Sequence, residues 1–250
     1  MKIAIITQDA PIYLPQFLDK FIDLVKKKHT IDSIVVLSPL FKKTLFSEIK
    51  ERYNYYGPVD FLKMFFYILK NKISFYSVNS VIAKHKLNKG QTKNINSEKF
   101  INYIKKNQID LIVSAAASRI FKKELLSASK KGCINYHTSL LPKYRGRQPL
   151  FWAMLNNEKE AGMTVHEMNE NLDDGPIIIQ KKVNIDTKET LHSLYLKTIK
   201  ISPNLLAKAI DKIENNNNKR IKNNKQEASY YSFTTKKDAQ LFRKKGKNFF

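Results

Sequence analysis

The opening residues constrain the fold most. Residues 2–7 (KIAIIT) and 31–37 (IDSIVVL) are short apolar runs rich in β-branched side chains, and each reads as a buried strand. Between them Leu14, Phe17, Phe21, Leu24 and Val25 recur at helical spacing over residues 14–28. Strand, helix and strand in that order begin an α/β sheet. Helices are expected at 43–53 and 60–70, the second rich in Phe, Tyr, Met and Leu, and a third strand at 78–83. Residues 86–96 are polar and read as a loop. Ser97 can cap a helix over 97–108, whose Phe100, Ile101 and Ile104 share a face. Strands are expected at 110–115, 133–137, 163–168 and 177–185, with helices at 122–130 and, entered through Pro149, at 150–156. Residues 187–215 are helical in pattern with a break near Pro203, and 219–250 form a basic, aromatic tail. The expected fold is α/β: a Rossmann-like, mostly parallel twisted sheet with flanking helices and a short helical, basic C-terminal extension. The expected division is a body over 1–185 and an extension over 186–250.

Several classes are excluded by composition. With 250 residues, 42% of them hydrophobic, the chain can bury a sizeable core. No apolar run reaches the length of a membrane-spanning helix. The first apolar stretch is too short for a signal peptide, ending at Gln8 and Asp9. The single cysteine, Cys133, can form no internal disulfide and belongs to no metal-type cluster, so a reducing, cytoplasmic setting is expected. The formal charge is +23. A polyanionic partner such as tRNA, DNA or a membrane surface is one reading; drift toward Lys and Asn is the other. Residues 219–250 hold ten Lys/Arg and two Asp/Glu, a net +8, and the other +15 is spread over 218 residues. No arginine–aromatic alternation of the single-strand-binding kind is present. Drift is the preferred reading, and the tail keeps RNA binding open.

Chemistry concentrates in one region. Four of the seven glycines (Gly132, Gly146, Gly162, Gly175) lie within 44 residues, and His137, His166 and His192 lie there or just beyond. On a strand, Asn135 and His137 share a face at the C-terminal end, where open parallel sheets place ligands. A carboxamide beside an imidazole suits acyl chemistry: the amide can meet a developing oxyanion and the ring can move a proton. NLDDGP (171–176) offers a carboxylate from Asp173 or Asp174. There is no Gly-x-Ser-x-Gly elbow, and Cys133 sits mid-strand, which disfavours serine and thiol nucleophiles. His137, His166 and Asp173 match no metal-ligand spacing, and no metal is expected.

Four pieces in register, Asn135-Tyr-His137, Ser139-Leu-Leu-Pro-Lys-Tyr-Arg-Gly146, Gly162-Met-Thr164-Val-His166 and Leu172-Asp173-Asp174-Gly175, resemble the formyltransferases that use N10-formyltetrahydrofolate. Those act on glycinamide ribonucleotide, methionyl-tRNA or nucleotide-linked amino sugars, and the likeness covers about residues 109–185. The resemblance implies an Asn–His–Asp catalytic trio of Asn135, His137 and Asp173. Asp173 is chosen because the family's carboxylate follows the Leu and stands two before the Gly. It further implies a folate site made by Ser118, Arg119, Ile120 and Phe121 on one side and Glu170, Asn171, Leu172 and Asp174 on the other. The family's Gly-containing loop after the first strand is replaced here by TQDAPIYLP, which holds Gln8, and Thr138 follows the His where a small residue or Pro is usual.

Arg-Gly-Arg-x-Pro-Leu-x-Trp (145–152) is most similar to the amino-sugar enzymes. Arg145, Arg147 and Gln8 are the candidate acceptor contacts, since guanidinium forks suit phosphate or carboxylate. The expected acceptor is therefore a nucleotide-linked amino sugar, with methionyl-tRNA the alternative. A nucleic-acid-binding protein without catalysis is the rival class. A homodimer through the C-terminal region or the aromatic helices of 41–76 is a further expectation.

Overall fold

The computed structural model describes residues 1–10, 12–38, 44–73, 77–90, 92–217 and 219–250. The parallel half of the sheet is built from β1 (Lys2–Gln8), β2 (Thr30–Leu37), β3 (Lys89–Gly90), β4 (Leu111–Ala115) and β5 (Cys133–His137). Around them lie α1 (Leu14–Val25), α2 (Leu45–Tyr56), α3 (Pro58–Ile73), α4 (Val78–Lys84), α5 (Glu98–Lys106) and α6 (Lys123–Leu126). The chain then forms the two-residue β6 (Arg145–Gly146), α7 (Pro149–Leu155), β7 (Glu160–Glu167), β8 (Ile177–Asn184) and α8 (Leu191–Glu214). It ends in β9 (Tyr230–Tyr231) and α9 (Lys236–Lys244). The main sheet has the order β3-β2-β1-β4-β5-β7-β8, and β7 and β8 are its antiparallel members. The mostly parallel α/β sheet is the architecture expected from the sequence.

Period-two alternation on β1 divides the core. Ile3 and Ile5 point to a cluster with Phe17, Leu18, Phe21 and Ile22 of α1 and Leu206 and Ile210 of α8. Ala4 and Ile6 point the other way, to Phe100 and Ile104 of α5 and to Val35 and Ile112. Each fully buried large side chain contributes about 1.5–3 kcal/mol of burial. Strand order reverses about β1: β2 and β3 extend to one side, β4 and β5 to the other. The loops after β1 and β4 therefore diverge and leave a crevice at the strands' C-terminal ends.

Several elements differ from the sequence reading. Residues 78–83 are helix, not strand. Ser77 and Ser80 form a reciprocal capping box, and Val78, Val81 and Ile82 are buried at helical spacing. Six residues of β-branched and small type were ambiguous, and the cap decides the state. The loop at 86–96 contains edge strand β3, whose Gly90 lies against Val35. Helix α6 is one turn rather than nine residues. Helix α8 continues through Pro203 without a break, starts at Leu191 behind the Thr190 cap, and has Ser202 bonded back to the Thr198 carbonyl. The Lys43 end of the expected helix at 43–53 lies outside the described residues.

The segment 219–250 folds back onto the body. β9 pairs in parallel with β6, and Ala239, Phe242 and Phe249 join the larger core cluster. Helices α2 and α3 expose a run of apolar side chains that includes Phe46, Ile49, Leu62, Phe65 and Phe66. Among the described residues no helix is long and apolar enough to cross a membrane.

Candidate active site

Three elements converge at the end of β5. Asn135 pairs in register with His166 of β7, which brings their side chains to one face. Asp173 enters from the turn between β7 and β8 in a left-handed conformation, φ 50°. Its Oδ1 accepts from Asn135 Nδ2 at 3.2 Å, and its Oδ2 accepts from the Gly146 amide at 2.9 Å. His137 Nδ1 stands 3.7 Å from Oδ2, and His166 Nε2 3.5 Å from Oδ1. The structure thus brings together Asn135, His137 and Asp173 and adds His166 as a fourth member.

The hydrogen bonds assign the tautomers. A carbonyl can only accept, so His137 Nε2 donates to the Tyr144 carbonyl at 2.9 Å and the neutral ring has Nδ1 free toward Asp173. His166 Nδ1 donates to the Glu167 carbonyl at 2.7 Å, which leaves Nε2 to accept from Asn135 Nδ2 at 3.3 Å. The carboxylate fixes the orientation of the Asn135 amide, because a flipped amide would set oxygen against oxygen. Both amide hydrogens are engaged at the long end of the hydrogen-bond range, so either can be given up to a bound group.

Burial pushes the Asp173 carboxyl up, but His137, His166 and the Gly146 amide together outweigh it and hold the group well below the usual carboxylate range. Asp173 is therefore a charged acceptor at neutral pH. The neighbouring Asp174, also buried, faces away. Its oxygens meet Arg145 Nη1 at 2.6 Å, Lys225 Nζ at 3.1 Å and Asn171 Nδ2 at 3.3 Å. Burial again opposes ionisation there, and Lys225 and Arg145 overcome it. Arg145 also donates to Asn223 at 2.9 Å, so the guanidinium anchors the loop from behind rather than facing the cleft. Neither Arg145 nor Asp174 lines the cleft.

Two glycines make the arrangement sterically feasible. Gly146 has φ +96°, and a Cβ there would come within 2.2 Å of the Tyr231 carbonyl oxygen. At Gly175 a Cβ would lie 1.8 Å from the Glu167 carbonyl oxygen. Cys133 is buried, with its thiol pushed up to about 12 by burial, and offers no nucleophile.

A cleft of about 1580 Å³ opens over this cluster. It is lined by Ser118, Arg119, Ile120 and Phe121 after β4, by Glu170, Asn171 and Leu172 after β7, and by Gln8 and Arg147. Ile120 and Leu172 expose 68% and 49% of their surface there, whereas Phe121 is buried. Arg119 is held by the Ser38 and Ser118 carbonyls, at 3.1 and 3.2 Å. The cleft can take a flat heterocycle between two apolar loop tips, with its reactive atom at Asn135 and His137. Sequence reasoning assigned no role to His166, although strand alternation over 163–168 puts it on a defined face. It missed the tail residues Tyr230 and Phe233, which line the cleft and carried no motif.

The family model described as "Formyl transferase" matches residues 66–210, more than half of the chain. The chain belongs to the formyl transferase family. The matched stretch is wider than 109–185 and takes in most of α8. Among curated relatives, the chain is 38% identical over 170 residues to the bifunctional polymyxin resistance protein ArnA of Wigglesworthia glossinidia brevipalpis, covering 68% of this chain and 26% of that one. It is 31% identical over 167 residues to methionyl-tRNA formyltransferase of Thermotoga maritima, covering 67% and 53%. The chain thus spans about half or less of the length of these relatives. A sugar N-formyltransferase structure from Shewanella superposes with a TM-score of 0.61 at 24% identity, covering 97% of this chain and 87% of that one. That likeness shows the shared fold.

Proposed function

We propose that the protein transfers a formyl group from N10-formyltetrahydrofolate to a primary amine carried by a nucleotide-linked sugar. The observation that carries the reading is the convergence of Asn135, His137 and a charged Asp173 at the floor of the cleft. The pterin lies between the 118–121 and 170–172 loops and presents its formyl carbon to Asn135. The amine attacks that carbon, and the carbonyl oxygen becomes an oxyanion. Asn135 Nδ2 donates to it, letting go of His166 or Asp173. The amine proton passes to His137 Nδ1, opposite the Asp173 carboxylate. Collapse of the intermediate re-forms the carbonyl and breaks the bond to N10, which takes a proton as it leaves. The products are the formamide and tetrahydrofolate, and no covalent enzyme intermediate is needed.

Support for a sugar acceptor comes from the Arg-Gly-Arg-x-Pro-Leu-x-Trp run and from the sugar N-formyltransferase fold that aligns with nearly all of this chain, tail included. Methionyl-tRNA is the second reading. It is favoured by the methionyl-tRNA enzymes among the relatives, one of them 41% identical over 133 residues. The test is release of tetrahydrofolate from N10-formyltetrahydrofolate with a panel of nucleotide-linked amino sugars, and with methionyl-tRNA in parallel. Turnover of an amino sugar is expected. Turnover of methionyl-tRNA alone establishes the second reading, and turnover of no amine refutes formyl transfer.

A further inference from the structure

Two joined surface helices are apolar on the side that faces water. α3 buries Asp60 and Met64 against the body and partly buries Phe61, Tyr67 and Ile68. Its outward side carries Val59, Leu62, Phe66 and Leu69 at three- and four-residue spacing, with Phe65 beside them. α2 repeats the arrangement with Phe46, Ile49 and Tyr53, and its Tyr53 ring packs edge-on against Phe61 of α3 at 5.5 Å. These eight outward side chains are between 43% and 77% exposed. A surface helix of a globular protein ordinarily turns its polar face outward. At about 150–250 Å² for a large side chain, together they show roughly 800 Å², against roughly 300–600 Å² for the largest apolar patch of a typical monomer.

Charge decides what covers this face. Lys63 and Lys70 are exposed on α3 among the apolar side chains. The one acid of α3, Asp60, is buried, with its oxygens toward Lys63 and the Phe249 amide. On α2, Glu51 lines the cleft instead. Helix α9 packs at the α2–α3 corner, where Arg243 donates to the Tyr55 carbonyl and lies over Gly57. It turns Lys237, Leu241 and Lys244 outward at helical spacing. A second copy of the chain would set these lysines against lysines, and a charge of +23 against +23. An anionic bilayer supplies both complements: hydrocarbon for the Phe, Leu and Ile side chains and phosphate for the lysines.

We propose that the α2–α3 face docks on an anionic membrane surface, lying in the headgroup layer without crossing it. Phe46, Leu62, Phe65 and Phe66 enter the headgroup–acyl boundary, and Lys63 and Lys70 meet lipid phosphates. Another side of α2, about a third of a turn away, carries Ser47 and Asn54 into the cleft. Docking therefore sets the cleft beside the bilayer. The proposal does not depend on which amine is formylated.

Co-flotation of the full chain with vesicles tests it, using phosphatidylcholine alone and phosphatidylcholine mixed with phosphatidylglycerol. Binding to the mixed vesicles and not to the neutral ones is expected, and it weakens as salt is raised. The double variant Leu62→Ser/Phe66→Ser lowers the vesicle partition coefficient at least about tenfold. Phe46→Ser, on the other helix, lowers it about threefold and keeps the test open should the double variant not fold. All three side chains are exposed, so thermal unfolding of both variants stays at the wild-type temperature. Binding to neither vesicle, equal binding to both, or wild-type binding in the folded variants overturns the proposal. Light scattering on the eluting protein supplies the last check: a monomer is expected, and a dimer that the double variant dissolves assigns the face to a second copy instead.

Discussion

Asp173 and Asp174 are adjacent, similarly buried and chemically identical, so neutralising each in turn separates catalysis from anchoring. In Asp173→Asn the side chain keeps one acceptor oxygen and gains an NH2 group. Wherever that NH2 points, it meets another donor, the Gly146 amide or the Asn135 amide. The charge opposite His137 Nδ1 also disappears, and with it the partner for the proton that leaves the amine. The expected loss in kcat/KM is about 10³-fold, or about 4 kcal/mol of barrier. Asp174→Asn keeps a hydrogen bond to Arg145 but leaves a guanidinium, 11% exposed, without its counter-charge. Lys225, 70% exposed, loses little. A stability cost of about 2–3 kcal/mol follows, less than full removal of a buried partner. At roughly 2–4 °C per kcal/mol for a chain of this size, Tm falls by about 4–12 °C. Activity measured below that transition stays within about threefold of wild type. Steady-state formylation and thermal unfolding on both variants read out the two effects. Equal activity losses at the two positions, or more than about a tenth of wild-type activity in Asp173→Asn, would refute the division of labour.

Gly146→Ala forces a Cβ into the Tyr231 carbonyl and the Tyr230 ring, so the tail must detach from β6; loss of activity together with new protease cleavage within 229–236 checks it. Phe242→Ala removes a ring stacked on Phe151 and tilted against Phe249, each at 4.8 Å, and costs about 3–5 kcal/mol in urea unfolding. Both Asp173 and Asp174 have folded-state pKa values below the ordinary one, so the unfolded chain binds more protons in acid. Their stabilisation is complete above about pH 4 and is lost as pH falls below it. Tm measured across that range declines less steeply in Asp174→Asn than in wild type.

Much of this was legible in residue patterns. The strands at 2–7 and 31–37 and the helices with clear apolar stripes appear where spacing put them, because burial on one face imposes a period that survives in the sequence. Residues 78–83 did not, since a short apolar run has no period long enough to separate strand from helix; the Ser77–Ser80 box is a local signal that outweighs it. The break at Pro203 was also misread. The surrounding contacts of α8 with α1 and the sheet outweigh the cost of a helix-interior proline, about 3 kcal/mol or more for the lost hydrogen bond and ring clash together. In the site, Asn135 and His137 could be paired from strand alternation alone. The choice of Asp173 over its neighbour needed the family register, and the structure gives the physical difference: one carboxylate faces imidazoles, the other a guanidinium.

The sequence by itself determined the α/β class and most strands of the sheet, the strand end where the chemistry sits and the residue types that carry it. These follow from local periodicity and from glycines at positions that admit no side chain. Only the tertiary structure decided which arginine faces the cleft, that His166 joins the Asn135 amide, and that the tail returns to lay Tyr230 over Gly146. Each of those is a contact between residues from 29 to 84 positions apart, made by strand order and turn geometry, and no local pattern encodes such a meeting.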